Sequence, residues 1–367
     1  MNMSALQTPI LDNISINYYG YFTPFGGYGI ANFNWVKHLL RAGVEVSPHA
    51  KFLPVEGSKE WNILNDEEKA ICKIPFVKQE IGIIETTPFD FGIIDTKIKI
   101  ANTMAENGEL GQPWVSACNS MDYVLVPNRF QYEVFVMSGV RGQKLRIIPH
   151  GTETEKFPEL NRPQRDVFTF GMVGYLNGSA DEEGRKLDRK GVFDVIQAFS
   201  SEFGEDEPVR LVLKTSNPAF GYYSRFTNGQ IHTINKLYDT IELCNLYHSF
   251  DCFVFPSKAE GIGQPPREAM ATGLPVIVGN YSGLEEIANE EFSYPISPSG
   301  FFKRKGWVEQ PGNWATYDIS ELMYLMRYIY EHQREAKEKG KKAAAEIRKN
   351  HSWENAAVKM KEFLKTL

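Results

Sequence analysis

Two glutamates lie close together between two apolar runs, and their types suit the binding of a phosphorylated, ribose-containing ligand. Glu260 follows the apolar run 252–255, and Glu268 lies shortly after Pro265. A helix that begins near Pro265 would offer free N–H groups and a positive dipole end to a phosphate. A carboxylate on that helix can accept two hydrogen bonds from a ribose diol. The spacing therefore predicts a nucleotide site in this stretch.

A strand, a turn and a helix are needed to place these two side chains. The run 252–255 is continuously apolar, as is typical of a strand with both faces covered. Gly273 and Pro275 predict the end of a helix of about two turns. Glu260 then lies at the carboxyl end of a strand, where ligands of α/β folds bind. The plainer alternative is a solvated loop glutamate beside a glutamate that complements a helix dipole.

The stretch EGIGQPPREAMATGLPVI, residues 260–277, resembles the signature of the retaining glycosyltransferases of family 4. That resemblance implies that Glu268 holds the ribose of a sugar nucleotide and that Glu260 contacts the donor sugar as a catalytic residue. It also implies donor contacts from the loop between them, which contains Gly261, Ile262, Gly263 and Gln264.

Positive charge for a diphosphate is predicted before the helical run that starts at residue 192. Lys190 stands there, and a lysine at a helix start adds a charge-assisted bond to the free N–H groups. The family pairs this lysine with an arginine, at a position where this chain has Tyr175. Arg185 or Arg189 is then expected to supply the missing charge. The alternative for Lys190 is a solvated lysine without a ligand.

Two further segments resemble parts of the family's site. The glycine-rich loop 24–29 follows a predicted strand, and Gly27 and Gly29 resemble the loop that faces the donor phosphate and the acceptor; a plain tight turn is the alternative. Ser282 and Gly283 resemble a turn that presents backbone N–H groups to the sugar.

Glu106 follows the strand expected within residues 93–104, and it resembles an acceptor-side glutamate found in a subgroup of the family. The structural alternative is a surface carboxylate. His150 stands where the family commonly has asparagine, and we expect a hinge histidine that caps a turn.

The resemblance implies an α/β protein with the GT-B fold, in which two Rossmann-like domains face each other across a cleft. The N-terminal, acceptor-side domain is predicted to span residues 1–163, and the C-terminal, donor-side domain residues 164–351. The polar segment 161–166 is the predicted linker. Residues 352–367 resemble the family's last helix, which crosses back to complete the N-terminal domain.

Composition narrows the function classes. The chain has 367 residues, enough for two domains, and a net charge of −6 that disfavours a broad nucleic-acid surface without excluding one. No apolar run has the length of a membrane span, and the first thirteen residues lack the pattern of a secretory leader. The four cysteines form no C-x-x-C pair, which favours a reduced, cytoplasmic setting. No Asp-x-Asp or H-E-x-x-H pattern indicates a metal site.

The resemblance to family 4 implies a retaining glycosyltransferase that moves a hexosyl group from a nucleoside-diphosphate sugar to a hydroxyl of a glycan, lipid or small molecule. Its donor is a substrate, and no cofactor or metal is expected. Three alternatives stay open: a nucleotide-sugar isomerase, a non-catalytic sugar-nucleotide binder, and a transferase that acts on a modified nucleic-acid base. The base, the sugar, the acceptor and the oligomeric state are undetermined at this level.

Overall fold

The structure is a computed structural model that describes residues 14–175, 188–216, 229–304 and 311–367. Arg185 and the N-terminal residues 1–13 lie outside the described residues, so the predictions made for them are not developed further.

The first sheet has, among the described residues, six strands in the spatial order β2-β1-β3-β4-β5-β6. The pairings from β1 to β5 are parallel. The strands are β1 (Ser15–Tyr21), β2 (Glu45–Phe52), β3 (Ile81–Glu85), β4 (Ile98–Asn102), β5 (Tyr123–Val126) and β6 (Leu145–Ile147). The helices of this half of the chain are α1 (Gly27–Arg41), α2 (Lys59–Ile63), α3 (Asp66–Cys72), α4 (Gln112–Ser120) and α5 (Arg129–Ser138).

Helix α1 begins earlier than the apolar spacing indicates. The periodicity predicts a helix from Ile30, yet the helix already starts at Gly27, after Gly26 in the left-handed region with φ 78°. Gly27 and Gly29 therefore lie in the first helical turn, and only Pro24 to Gly26 remain as a loop. Periodicity misses this turn because its glycines contribute no apolar side chain.

The second sheet has six strands among the described residues, in the order β12-β11-β10-β7-β8-β9, and its pairings are parallel. The strands are β7 (Phe168–Val173), β8 (Val209–Thr215), β9 (Ile231–Asn235), β10 (Cys252–Phe255), β11 (Val276–Gly279) and β12 (Tyr294–Ile296). Two more strands, β13 (Pro298–Arg304) and β14 (Gly312–Tyr317), pair antiparallel in a separate sheet. The helices are α6 (Val192–Glu202), α7 (Thr240–His248), α8 (Gln264–Ala271), α9 (Ile319–Glu331), α10 (Gln333–Asn350) and α11 (Trp353–Leu364).

Strand β10 lies in the core of its sheet, as its continuous apolar sequence predicts. All four of its residues are fully buried. Strands β7 and β11 flank it, and because all three strands are parallel, the loops after them emerge at the same edge of the sheet.

The chain divides into two compact units. The first unit contains Met1–Thr103, Ser120–Leu125 and Trp353–Leu367, and the second contains Met104–Asn119 and Val126–Ser352. The boundary predicted between residues 163 and 164 remains a prediction, because compactness alone does not identify the segments that fold independently. Among the described residues, no helix combines the length and the apolar composition needed to cross a membrane.

The last helix, α11, belongs to the first unit. The Trp353 ring packs edge-on against Trp35 of α1 with 5.0 Å between the ring centroids. The Lys361 ammonium donates a 2.6 Å hydrogen bond to the Ala42 carbonyl at the end of α1. A buried aromatic pair and a helix C-terminal cation thus attach the end of the chain to the first unit.

Candidate functional site

The Glu260 carboxylate forms an ion pair with the Lys190 ammonium inside the second unit. Glu260 lies in the loop after β10, and Lys190 lies just before α6. Both residues are more than nine-tenths buried, and the Ser257 hydroxyl donates to the same Glu260 oxygen that accepts from Lys190. Because β7 and β10 are neighbouring parallel strands, the segments that follow them meet at one sheet edge.

Arg189 joins this pair to a second carboxylate. Its Nη1 lies 3.3 Å from Glu260 Oε2, and its Nη2 lies 2.9 Å from Glu106 Oε1. Nη1 also donates a 2.6 Å hydrogen bond to the Ala259 carbonyl. The structure therefore brings together four residues predicted for the site, which we call the charge cluster: Glu106, Arg189, Lys190 and Glu260. Arg189 is one of the two arginines predicted to supply the missing charge, and its contact with a diphosphate remains a prediction.

Burial and charge act in opposite directions within the charge cluster. Burial by itself raises the pKa of Glu260, but the Lys190 and Arg189 cations outweigh it and hold that pKa below its ordinary value. Burial and the Arg189 charge together lower the pKa of Lys190, while Glu260 and Glu106 oppose that shift. Two cations side by side repel each other, so each depends on a carboxylate, or on another anion, for stabilisation.

A strained turn supports the loop that contains Glu260. Ser282 is, among the described residues, the only non-glycine residue with a positive φ, at 62°, and it is almost fully buried. Its hydroxyl accepts a 2.8 Å hydrogen bond from the Glu260 amide, and the Gly283 amide donates a 3.0 Å bond to the Glu260 carbonyl. A Cβ at Gly283 would overlap the Gly261 carbonyl. In this structure the Gly283 N–H thus binds protein backbone, and its contact with a sugar remains a prediction.

Helix α8 begins at Gln264, after Gly263 in the left-handed conformation with φ 77°. Left-handed backbone favours glycine, which explains that residue without a ligand. Pro265 and Pro266 follow the first helical residue, so Glu268 lies one position deeper in the helix than a start at Pro265 predicts. The Gln264 side chain donates a 2.9 Å hydrogen bond to the Gly151 carbonyl, and Ile262 is buried.

Glu268 has its own partner, which sequence reasoning did not identify. The Tyr247 hydroxyl donates a 2.8 Å hydrogen bond to Glu268 Oε2. Burial raises the pKa of Glu268 to about 7, although the Tyr247 hydrogen bond opposes that rise. An acid with a pKa near neutrality is a common property of functional carboxyls.

Lys214, at the end of β8, is another buried cation in this unit. It is 7% exposed, and its ammonium lies 5.2 Å from the centre of the Tyr238 ring. Burial lowers the pKa of Lys214, while the charge of Glu268 acts in the opposite direction. The sheet edge therefore has positive charge near Glu268 as well as at the charge cluster.

Hydrogen bonds from α5 position the segment that contains Glu106. The Gln131 amide side chain accepts from the Ala105 N–H at 2.8 Å and donates to the Ala105 carbonyl at 2.6 Å. Asn128 caps α5 and donates a 2.8 Å hydrogen bond to the Gly261 carbonyl. The asparagine is a recognisable capping residue in the sequence, but its bond to the Gly261 loop has no sequence signal.

Arg267 lies on α8 and has a buried guanidinium, and the sequence does not distinguish it from a surface arginine. It is 1% exposed, and its Nη1 and Nη2 lie 2.8 Å from His351 Nδ1 and 2.9 Å from Glu286 Oε2. Burial lowers the pKa of His150 to about 3, and the Arg267 charge adds to that effect. His150 is therefore neutral at physiological pH, which argues against its use as a cationic group.

Among residues 14–175, 188–216, 229–304 and 311–367, no group of three or more His, Cys, Asp or Glu side chains is arranged to hold a metal ion. Gly27 and Gly29, in the first unit, lie in the opening turn of α1.

Two sheets with this strand order and these flanking helices define the GT-B fold. Sucrose-phosphate synthase from Thermosynechococcus elongatus shares the fold with a TM-score of 0.69 and 16% identity, over 96% of this chain and 99% of that chain. HepE from Anabaena, solved in complex with UDP and glucose, gives a TM-score of 0.67 and 13% identity, over 97% of this chain and 100% of that chain. At these identities the similarity establishes the fold alone, and the predicted fold class is confirmed.

Sequence comparison adds a family match within the second unit. Residues 184–343 match the family described as glycosyl transferases group 1. The sulfoquinovosyl transferase SQD2 of Arabidopsis thaliana is 31% identical over 242 residues, which is 65% of this chain and 44% of that protein. The chain spans about half the length of the curated relatives it matches.

Proposed function

We propose that this protein is a glycosyltransferase of family 4 that moves a hexosyl group from a nucleoside-diphosphate sugar to an acceptor hydroxyl, with retention of the anomeric configuration. The observation that carries the proposal is the position of Arg189 and Lys190 side by side at the carboxyl edge of the second sheet, where the Lys190 side chain is 10% exposed and the Arg189 side chain 20%. Glu260 and Glu106 compensate these two cations in the structure, and the N–H donors that remain suit a diphosphate, which offers two anionic groups at short spacing. The family match of residues 184–343 supports the same class of donor.

The cations have hydrogen-bonding capacity for a diphosphate. An ammonium has three N–H donors and a guanidinium five. Among the described residues, Lys190 donates to one acceptor, Glu260. A phosphate oxygen can therefore bind Lys190 without displacing Glu260, and the cations then stabilise the negative charge that develops on the leaving diphosphate.

The reaction requires one bond exchange at the anomeric carbon. The bond between this carbon and the diphosphate oxygen breaks, and the acceptor oxygen bonds to the same face of the sugar. The acceptor's proton leaves with the nucleoside diphosphate, so the step needs neither an oxidant nor a cofactor. In this scheme Glu260 contacts the donor sugar, Glu268 binds the ribose, and Glu106 lies on the acceptor side.

HepE was solved with UDP, so uridine diphosphate is the first nucleotide to test on this chain. Calorimetry with UDP, GDP and ADP, followed by turnover of the matching hexose donors, tests the proposal. We expect one nucleoside diphosphate to bind and its hexose donor to be consumed, with an acceptor or with water. NMR should show a product with the anomeric configuration of the donor.

A protein that binds donor tightly but neither transfers nor hydrolyses the sugar would contradict the enzymatic assignment and favour a sugar-nucleotide binder. A product of inverted configuration would contradict retention alone. The acceptor is proposed to be a hydroxyl of a glycan, lipid or small molecule, and the same assay identifies it when run with acceptors of each class.

A further inference from the structure

The Tyr247 side chain is held rigidly beside Glu268. Tyr247 lies on α7, is fully buried, and packs edge-on against Phe157 and Phe253, with 5.7 Å between ring centroids in each case. Aromatic contacts on more than one side leave its ring little freedom to rotate. Its hydroxyl therefore points in a fixed direction, toward Glu268 Oε2.

The two oxygens of Glu268 have different environments. Oε2 accepts the hydrogen bond from Tyr247, whereas Oε1 has no hydrogen-bond partner among the described residues. Glu268 is half-buried, in contrast to the fully buried tyrosine. One oxygen is thus fixed by the protein, and the other remains available to a ligand.

We propose that Tyr247 is a positioning residue that orients the Glu268 carboxyl toward a ribose, so that the site distinguishes ribonucleoside from 2′-deoxyribonucleoside diphosphates. This inference rests on the proposed function, which has Glu268 bind the nucleotide. A 2′-deoxyribose lacks one of the two hydroxyl donors of the diol. When the deoxyribonucleotide binds, a carboxyl held in one orientation loses a well-formed hydrogen bond. A mobile carboxyl can instead change its orientation and form a hydrogen bond with water, so its loss is smaller.

The charged and titratable groups around Glu268 include Glu153, Lys156 and Lys214 as well as Tyr247. The three charged residues change the affinity for every nucleoside diphosphate to the same extent, whether or not the ligand has a 2′-hydroxyl. The ratio of the dissociation constants of the deoxyribonucleotide and the ribonucleotide therefore reports the orientation of the Glu268 carboxyl and is not affected by the charges of these neighbours.

The test compares the dissociation constants of UDP and 2′-deoxy-UDP, or of the corresponding pair for whichever nucleoside diphosphate the wild type binds, by calorimetry. We expect the wild type to favour the ribonucleotide by about 10- to 100-fold, the worth of a hydrogen bond to a charged group. Tyr247→Phe keeps the aromatic packing and removes the hydroxyl, and it should reduce this ratio at least about threefold. Glu268→Gln should reduce the ratio as well, and the double variant should fall no further.

Tyr294→Phe is the matched control, because the buried Tyr294 hydroxyl has no hydrogen-bond partner among the described residues. Its ratio should equal that of the wild type. If Tyr247→Phe does not fold, Glu268→Asp replaces it, since the shorter side chain withdraws the carboxylate from Tyr247 without changing the aromatic contacts.

An unchanged ratio in a folded Tyr247→Phe variant, or in Glu268→Asp where that replaces it, would overturn the inference. A wild type that binds both nucleotides equally would also overturn it. A wild type that binds no nucleoside diphosphate at all would instead contradict the proposed function, so the two failures are distinguishable.

Discussion

The Glu260 carboxylate and the Lys190 ammonium, 70 residues apart in the chain, form a buried ion pair in the second unit. The pair is not isolated, because Arg189 contacts Glu260 as well and extends to Glu106. In the proposed function, a carboxylate that holds two cations in place prepares them for a diphosphate, but it also competes with that diphosphate for their charge. The predictions for Lys190 and Glu260 test these two effects.

Lys190→Ala should weaken the binding of a nucleoside diphosphate by about 1.5–3 kcal/mol, the worth of a charge-assisted hydrogen bond. Calorimetry measures this loss directly. Lys341→Ala is the control, since that lysine is exposed and pairs with Glu338 within one helix. Unchanged affinity in Lys190→Ala would mean that this lysine serves only to neutralise Glu260.

Glu260→Gln and Glu268→Gln should separate the nucleotide from the sugar. Glu268→Gln should weaken binding of the free nucleoside diphosphate and of the intact donor alike, because both contain the ribose. Glu260→Gln should not weaken binding of the free diphosphate, since it removes a carboxylate that competes for Lys190 and Arg189. It should, however, lower kcat and kcat/KM together if the Glu260 contact strengthens as positive charge develops at the anomeric carbon.

Calorimetry with the nucleoside diphosphate and turnover of the donor, both applied to each variant, test this division. Thermal unfolding checks that Glu260→Gln still folds, because it leaves two buried cations with less compensation. Equal losses of diphosphate affinity in the two variants would refute the separate roles.

Donor turnover should survive an excess of EDTA. In the proposed function, Arg189 and Lys190 supply the positive charge that a divalent ion would otherwise bring to the leaving diphosphate. The measurement is the rate of donor consumption with and without chelator. Complete loss of activity that manganese restores would contradict the role given to these two cations.

Glu85→Gln should remove a pH dependence of stability that originates in the first unit. Glu85 is fully buried and accepts a hydrogen bond from the Tyr18 hydroxyl. Burial raises the pKa of Glu85 to about 8, although the Tyr18 hydrogen bond opposes that rise. The folded protein therefore keeps this carboxyl neutral at pH values where the unfolded chain has already ionised it.

The sign follows from that difference in proton binding. A raised pKa contributes stability that is fully present below about pH 4.5 and is lost as the pH rises toward 8. The loss over this window is on the order of 3–5 kcal/mol. The difference in thermal midpoint, Glu85→Gln minus wild type, should therefore be more positive at pH 8 than at pH 5. Glu80→Gln, which alters a largely exposed carboxylate, should show no such change, and a constant difference for Glu85→Gln would contradict a neutral Glu85.

The sequence alone predicts the local elements around the site and the kinds of residue in it. The apolar run of β10, the glycine turn after it and the short helix to Gly273 follow from patterns over neighbouring residues. The same local patterns make site residues of Glu260, Glu268 and Lys190. Each of them is predicted to lie at a strand end or a helix start, where charged side chains can reach a ligand. The same patterns give the order of strands and helices along the chain, and that order indicates two Rossmann-like sheets.

Only the tertiary structure decides which of these side chains meet. Lys190 and Glu260 pair because β7 and β10 are neighbours in the sheet, and periodicity along a strand does not report the order of strands. Arg189 reaches Glu106, and Tyr247 reaches Glu268, across segments that are distant in the chain. Whether an ionisable group is solvated or buried against a partner depends on these long-range contacts. Burial and the partner's charge set its pKa, so the chemistry of the site is determined by packing as much as by residue type.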